Sequence, residues 1–174
     1  MMECYLGLGA NQQDPVRVLN QANDQLRKLS NTQYLKASEI IITAPFGITG
    51  QPIFYNQVVQ IYTEITPLDL LNKIIAIEKN LGKIKTNAWG PRKVDIDILI
   101  YGNISLRTVQ LTLPHPQIWQ RCFVKKSLLE FNSPLVNSYY TNSFDTQALF
   151  NNKKPCTLPS NLNYLFDSRQ LLTV

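Results

Sequence analysis

The chain has 174 residues, of which 44% are hydrophobic and 17% charged, and a net charge of +5. That is enough apolar material for one self-standing domain and too little charge for a disordered polyelectrolyte, while the basic balance favours an anionic partner such as nucleotide phosphate, nucleic acid or anionic lipid. Cys4, Cys122 and Cys156 are scattered, without C-x-x-C or metal-ligand spacing, and suit reduced thiols. The start "MMECYLGLGA" lacks a basic leader, and no apolar run approaches the roughly 18 residues of a membrane span, so the chain reads as soluble and cytoplasmic.

Residues 3–9, "ECYLGLG", alternate and end in glycines, as a strand entering a tight loop would. Asp14-Pro15 then supplies a helix cap followed by proline at the first helical position, and Val18, Leu19, Ala22, Leu26 and Leu29 recur at helical spacing. "SEIIITA" (38–44) and "FYNQVVQIYTEI" (54–65) are rich in β-branched residues and predict two successive strands around a Pro/Gly loop. Thr66-Pro67-Leu68-Asp69 repeats the cap-plus-proline signal for a second helix that ends near Gly82. "KVDIDILIYG" (93–102) is a fourth strand, completing the order βαββαβ of a ferredoxin-like α+β core. A mixed sheet with helices on one face is the expected arrangement. "LPHPQIWQRCFVKKSLLEF" (113–131) reads as a turn and an additional helix, and from about Asn137 onward asparagine, serine and proline predict an irregular tail within a single 1–174 domain.

Inside the fourth strand, Asp95 and Asp97 interrupt an apolar run. Side chains alternate along a strand, so the two aspartates share a face with α-carbons roughly 6.6 Å apart, while Val94, Ile96 and Ile98 fill the other. Two ionised carboxylates that close, on a partly buried surface, repel each other and lose hydration, which hard divalent cations would relieve. Magnesium accepts one or two carboxylates and completes its shell with water and substrate phosphates, and paired ions roughly 3.5–4 Å apart recur in phosphorus chemistry. The competing explanation is a solvated strand face paired with Arg92 and Lys93. Lys83, Lys85, Arg92 and Lys93 before the strand, and Arg107 and Arg121 after it, favour a polyphosphate ligand.

Other motifs narrow the choice. "GLGANQ" (7–12) lacks the third glycine of a dinucleotide fingerprint, and no P-loop occurs. His115, the lone histidine, lies between prolines in "LPHP", where it is either a hydrogen-bonded corner or a phosphate donor. Phe46, Phe54 and Phe123 lie near loops and turns and could pack a core or sandwich a flat heterocycle. A nucleotidyltransferase or cyclase with an acidic pair on a palm-like sheet would use the same features. A ferredoxin-like RNA-binding module would share the charge and aromatics, although its RNP1 pattern is missing.

"WGPRKVDIDILIYG" (89–102) followed by "LTLPHPQIWQRCFV" (111–124) resembles the 6-hydroxymethyl-7,8-dihydropterin pyrophosphokinase family of folate biosynthesis. "YLGLGAN", "TAPFG", "QPIFYNQVV" and "LLNKIIAIEKNLG" agree in order, so the resemblance runs from about Tyr5 to Pro134. It implies transfer of the β,γ-pyrophosphoryl group of ATP to the pterin hydroxymethyl oxygen, with release of AMP. It further implies two Mg2+ ions on Asp95 and Asp97, with Lys83 and Arg92 serving the transfer. Glu78, Lys85, Trp89, Ile98, Thr112, His115 and Arg121 would lie on the nucleotide side, with Trp89 in a loop that closes over the triphosphate. Thr43, Pro45, Phe46 and Asn56 would read the pterin edge, and Phe54 and Phe123 would stack on its faces. The partners implied are these two small molecules, with no nucleic acid or membrane, and a monomeric enzyme.

The chain departs from the family pattern where Lys83 and Lys85 replace usual arginines, Ala10 a serine and Ala44 a proline, and the 85–89 loop is short. A lysine offers a point charge where arginine offers a planar fork, which bears on phosphate grip and turnover.

Overall fold

The computed structural model describes residues 1–45, 50–83, 92–118 and 120–142, with side chains as far as Tyr139. Strand β1 (Met2–Ala10) is the spine of the main sheet: it pairs antiparallel with β4 (Phe54–Thr63) on one side and β5 (Asp95–Tyr101) on the other. Beyond β4 lie β2 (Thr32–Ala37), as its antiparallel neighbour, and the short β3 (Ile41–Thr43), which pairs only with β4. The path is therefore β2-β4-β1-β5, and every pairing is antiparallel, which corrects the expectation of a mixed sheet. Each of the two β-helix-β crossovers skips one position, and the skipped position is filled by a strand of the other crossover running the opposite way.

Helices α1 (Pro15–Arg27) and α2 (Pro67–Asn80) begin as their capping signals predict: Asp14 and Thr66 accept from Arg17 N–H and Asp69 N–H at 3.3 and 3.4 Å, each followed by proline. Gly82, at φ +84°, turns the chain out of α2 in a left-handed conformation that glycine adopts without strain. Leu19, Ala22 and Leu26 of α1 and Leu70, Ile74 and Ile77 of α2 cover one face of the sheet, packing on Leu6, Leu8, Ile61, Ile96 and Ile98. Each large side chain buried there contributes roughly 1.5–3 kcal/mol. The opposite face is not bare: Phe123, Val124 and Leu128 of α3 (Cys122–Glu130) pack on Tyr5, Val58, Leu99 and Ile100. The additional helix thus makes the sheet the middle of three layers.

A small hairpin, β6 (Leu106–Arg107) with β7 (Thr112–Leu113), precedes α3, and α4 (Pro134–Asn142) follows it. Ser133 closes the start of α4 by accepting from Leu135 N–H at 3.1 Å, so regular structure extends five residues past the predicted onset of the irregular tail. Cys4 is buried and reduced, whereas Cys122 is disulfide-bonded, against the expectation of three free thiols; the lack of local spacing excludes a C-x-x-C pair but not a bridge to a cysteine distant in sequence. Among the described residues, no helix is long and apolar enough to cross a membrane.

Candidate active site

The α3-side face of the sheet is only partly covered. Cross-strand register places Gly9 between Asn56 and Asp95, and Gly7 between Val58 and Asp97. These two glycines are strand residues, not the entry to a phosphate loop: they form the floor beside the aspartates. Space above them is tight, since a Cβ at Gly7 would lie 3.2 Å from the Leu99 side chain and one at Gly9 would lie 3.2 Å from Asn56 Oδ1. The first strand runs through Ala10 and puts no side chain of its own beside the acidic pair at these two positions, which the Leu99 and Asn56 side chains overhang instead.

The two aspartates differ in environment. Asp95 is tied by both oxygens, with Lys83 Nζ donating to Oδ1 at 2.7 Å and Arg92 Nη1 donating to Oδ2 at 2.5 Å. Burial pushes its carboxyl up, but the Lys83 and Arg92 contacts outweigh burial and hold it below the usual carboxylate range. Asp97 meets Arg121 Nη1 only at 3.8 Å. Burial, reinforced by the charge of Asp95, pushes its carboxyl above the usual range, and His115 and Arg121 offset this in part. A hard cation is the natural complement of an under-compensated carboxylate beside a second one, so the donor set fits magnesium. Among the described residues, there is no group of three or more acidic, histidine or cysteine side chains placed for a metal ion, so further ligands would come from water and substrate.

Lys83 is held by more than Asp95. Its backbone N–H donates to Glu78 O at 2.9 Å, and its ammonium reaches Glu78 Oε2 at 2.8 Å. Glu78, on the last turn of α2, is 5% exposed, and its Oε1 accepts from Ile96 N–H, between the two aspartates, at 2.7 Å. Burial raises the Glu78 carboxyl, opposed by Lys83 and the Ile96 N–H. For Lys83 burial acts downward, but Asp95 and Glu78 hold its ammonium above the ordinary value. Glu78 thus braces strand β5 and Lys83 together.

His115 follows the hairpin, its N–H donating to Leu99 O at 2.9 Å, which seats it beside β5. Its Nδ1 accepts from Gln117 N–H at 3.1 Å, so the neutral ring carries its proton on Nε2. Burial lowers its pKa, with Asp97 acting in the opposite sense. Arg121 Nη2 donates to Gln117 Oε1 at 3.1 Å, linking the start of α3 to this corner. Thr112 sits on β7, paired with Arg107.

Thr43, Phe54 and Asn56 cluster on the same sheet face: Thr43 pairs with Phe54, and Asn56 Nδ2 donates to Thr43 Oγ1 at 2.9 Å. Pro45 is partly buried beyond β3, and Phe123 is buried in the α3 cluster beside Ile41. Ile98 turns its side chain into the core on the far face, so only its backbone can serve a ligand. Phe46, Lys85 and Trp89 lie outside the described residues.

Asn11 has no place among the predicted residues, yet it joins three segments around the site. It is 3% exposed, accepts from Arg92 N–H at 2.9 Å through Oδ1, and donates its own backbone N–H to Arg92 O at 3.2 Å. Its Nδ2 donates to Pro52 O and Gln51 Oε1 at 3.3 and 3.4 Å. The asparagine is visible in "GLGAN", but only the tertiary meeting of segments 50–52 and 92–94 gives it a role. Asn11→Ala is expected to lower stability by about 2 kcal/mol, read from the urea midpoint. Asn11→Asp keeps the Arg92 acceptor but sets a buried carboxylate oxygen against the Pro52 carbonyl, and is expected to lose at least as much at neutral pH; a loss clearly smaller than that of alanine would put most of the effect on the Arg92 side.

The family described as 7,8-dihydro-6-hydroxymethylpterin-pyrophosphokinase (HPPK) matches residues 5–133. A Haemophilus influenzae protein named 2-amino-4-hydroxy-6-hydroxymethyldihydropteridine pyrophosphokinase is 38% identical over 136 residues, 78% of this chain and 85% of its own length. A Bacillus subtilis protein of the same name is 37% identical over 126 residues, covering 72% of this chain and 75% of that one. Among solved structures, an HPPK-DHPS crystallised with substrates superposes with TM-score 0.59 at 14% identity, covering 90% of this chain and 46% of that one. The Plasmodium falciparum HPPK-DHPS gives TM-score 0.52 at 16% identity over 69% of this chain and 38% of that one. At such identities these structures bear on the fold alone.

Proposed function

This chain belongs to the 7,8-dihydro-6-hydroxymethylpterin-pyrophosphokinase family and is a pyrophosphokinase, and we propose that it transfers the pyrophosphoryl group of ATP to the hydroxymethyl oxygen of 6-hydroxymethyl-7,8-dihydropterin, for folate synthesis, using two magnesium ions. The observation that carries the reading is the Asp95–Asp97 pair on a glycine-floored face, ringed by Lys83, Arg92, His115 and Arg121. The ferredoxin-like description of the core is part of this proposal and is supported by the strand path β2-β4-β1-β5 with its two helices on one face.

Asp95 and Asp97 would hold the ions, which when bound would neutralise phosphate charge and lower the pKa of the pterin hydroxyl. Lys83 and Arg92 would shift charge onto the triphosphate as it arrives, stabilising the transfer electrostatically. The Nε2–H of His115 and the guanidinium of Arg121 are donors for phosphate oxygens, and Glu78, Lys85, Trp89, Thr112 and the Ile98 backbone complete the nucleotide side. Asn56, with Thr43, offers hydrogen bonds to a pterin edge, with Pro45 and Phe46 beside them and Phe54 and Phe123 as stacking surfaces. The same proposal takes the enzyme as a cytoplasmic monomer.

The deciding experiment mixes the protein with Mg-ATP and 6-hydroxymethyl-7,8-dihydropterin and separates the nucleotides by chromatography. AMP formed only with the pterin present is the expected result. Release of pyrophosphate would turn the site into a nucleotidyltransferase, and an intact ATP pool with folded protein would reject the assigned reaction.

A further inference from the structure

The contacts around Asp95 have a consequence for how this site is loaded. Lys83 Nζ stands 2.7 Å from Asp95 Oδ1 and 2.8 Å from Glu78 Oε2, and Arg92 Nη1 stands 2.5 Å from Asp95 Oδ2. Both oxygens of one proposed metal ligand are thus occupied by the chain's own cations. Asp97, by contrast, meets Arg121 at 3.8 Å, beyond hydrogen-bond distance. We infer that Lys83 is a resident counter-ion of the acidic pair, which shuts Asp95 against a divalent cation until a triphosphate gives the ammonium another acceptor.

The inference rests on the two-ion reading of the site and deepens it. A divalent cation approaching Asp95 alone must face an ammonium and a guanidinium already in hydrogen-bond contact with its ligand, and like charges at such range oppose it strongly in a partly buried setting. Lys83 can withdraw without being stranded. Its backbone is pinned to α2 by the bond to Glu78 O, and Glu78 Oε2 retains the ammonium when Asp95 is released. Phosphate oxygens would supply the replacement acceptors, so nucleotide and metal each favour the other's binding, and by linkage the coupling factor is the same in both directions. A lysine suits this role: its single mobile ammonium moves between acceptors over a short arc, where a guanidinium would have to turn a whole planar fork.

The test is Mn2+ binding followed by electron paramagnetic resonance, without and with α,β-methylene-ATP, on the full chain. Lys83→Gln keeps an amide donor between Glu78 and Asp95 but removes the charge. It is expected to tighten nucleotide-free Mn2+ binding by about tenfold, and to shrink the coupling between Mn2+ and the analogue by a similar factor. Arg121→Gln also removes one positive charge near the pair, but no hydrogen bond to a ligand; it is expected to change nucleotide-free binding by less than about threefold. Lys83→Arg keeps the charge and is expected to stay as weak as the parent. A Lys83→Gln protein that binds nucleotide-free Mn2+ like the parent, or no better than the Arg121→Gln protein, overturns the counter-ion role while leaving the two-ion reading standing. A parent that retains no Mn2+ even with the analogue removes the two-ion reading, and this inference with it.

Discussion

The Asp97→Asn protein is expected to lose at least about 10³-fold in turnover and yet to unfold at a higher temperature than the parent at pH 7. The two effects have one cause. Asp97 is held charged in a place that disfavours the charge: burial and Asp95 push its carboxyl up, and Arg121 at 3.8 Å compensates in part. A carboxyl whose folded pKa lies above its unfolded value contributes its full stability below the unfolded value, about 3.9, and loses it as pH rises through the folded value. At neutral pH the folded chain therefore carries a penalty that asparagine, of nearly the same shape, does not. The gain is expected to fade as pH is lowered through the folded value toward about 3.9, and to be gone well below that, where the parent is protonated in both states. Turnover moves the other way, because metal-centred charge stabilisation is worth several kcal/mol and each 1.36 kcal/mol is tenfold in rate. Melting curves at pH 7 and pH 3.5, beside single-turnover assays, check both halves. A lower melting temperature at pH 7 would mean that the Arg121 pairing outweighs the repulsion, and undiminished turnover would remove Asp97 from the chemistry. Asp95→Asn is a different case, since it dissolves contacts to Lys83 and Arg92.

The aspartate pair was legible in the sequence because strand alternation is a local rule, and α1 and α2 were legible because Asp14-Pro15 and Thr66-Pro67 are local capping signals. The same signal stands at Ser133-Pro134 and announces α4, but the rising polar content after residue 137 masked it. Strand β2 escaped because Thr32–Ala37 is an edge strand, largely exposed and interrupted by Gln33 and Lys36, with no apolar run to mark it. The predicted strand 38–44 shrank to Ile41–Thr43 because Ser38 is used otherwise: its hydroxyl accepts from Val58 N–H and its carbonyl from the Gln57 amide, at 3.0 and 2.8 Å. Gly7 and Gly9 looked like a loop because their purpose lies across the sheet, opposite Asp97 and Asp95. Pair register is not written in either strand alone. Asn11 and Glu78 share that character, since what each holds is brought to it by the fold.

Glu78 gives the second large effect, and on stability. Strand β5 is an edge strand, and the Ile96 N–H on its outer side would be a buried donor without the carboxylate of α2. Glu78→Ala removes that acceptor and the Lys83 partner together. An unsatisfied buried donor costs about 1–3 kcal/mol, and the ion pair adds little more, since the Lys83 side chain is 31% exposed and keeps Asp95. A loss of about 3 kcal/mol is expected, read from the urea midpoint at unchanged slope. Glu78→Gln separates the two parts, for its carbonyl can still receive the Ile96 N–H while its charge is gone. Burial pushes the Glu78 carboxyl pKa up, so the fold carries its charge at a cost, and discarding the charge is expected to matter less than discarding the acceptor. The glutamine protein should therefore lie much closer to the parent than the alanine protein does. Equal losses would place the whole effect in the Lys83 pairing, and an alanine protein as stable as the parent would mean that water satisfies Ile96 and the brace is idle. If the brace holds as described, the alanine protein should also spoil the site before it unfolds: Ile96 separates Asp95 from Asp97, and whatever loosens its N–H loosens the spacing of both carboxylates.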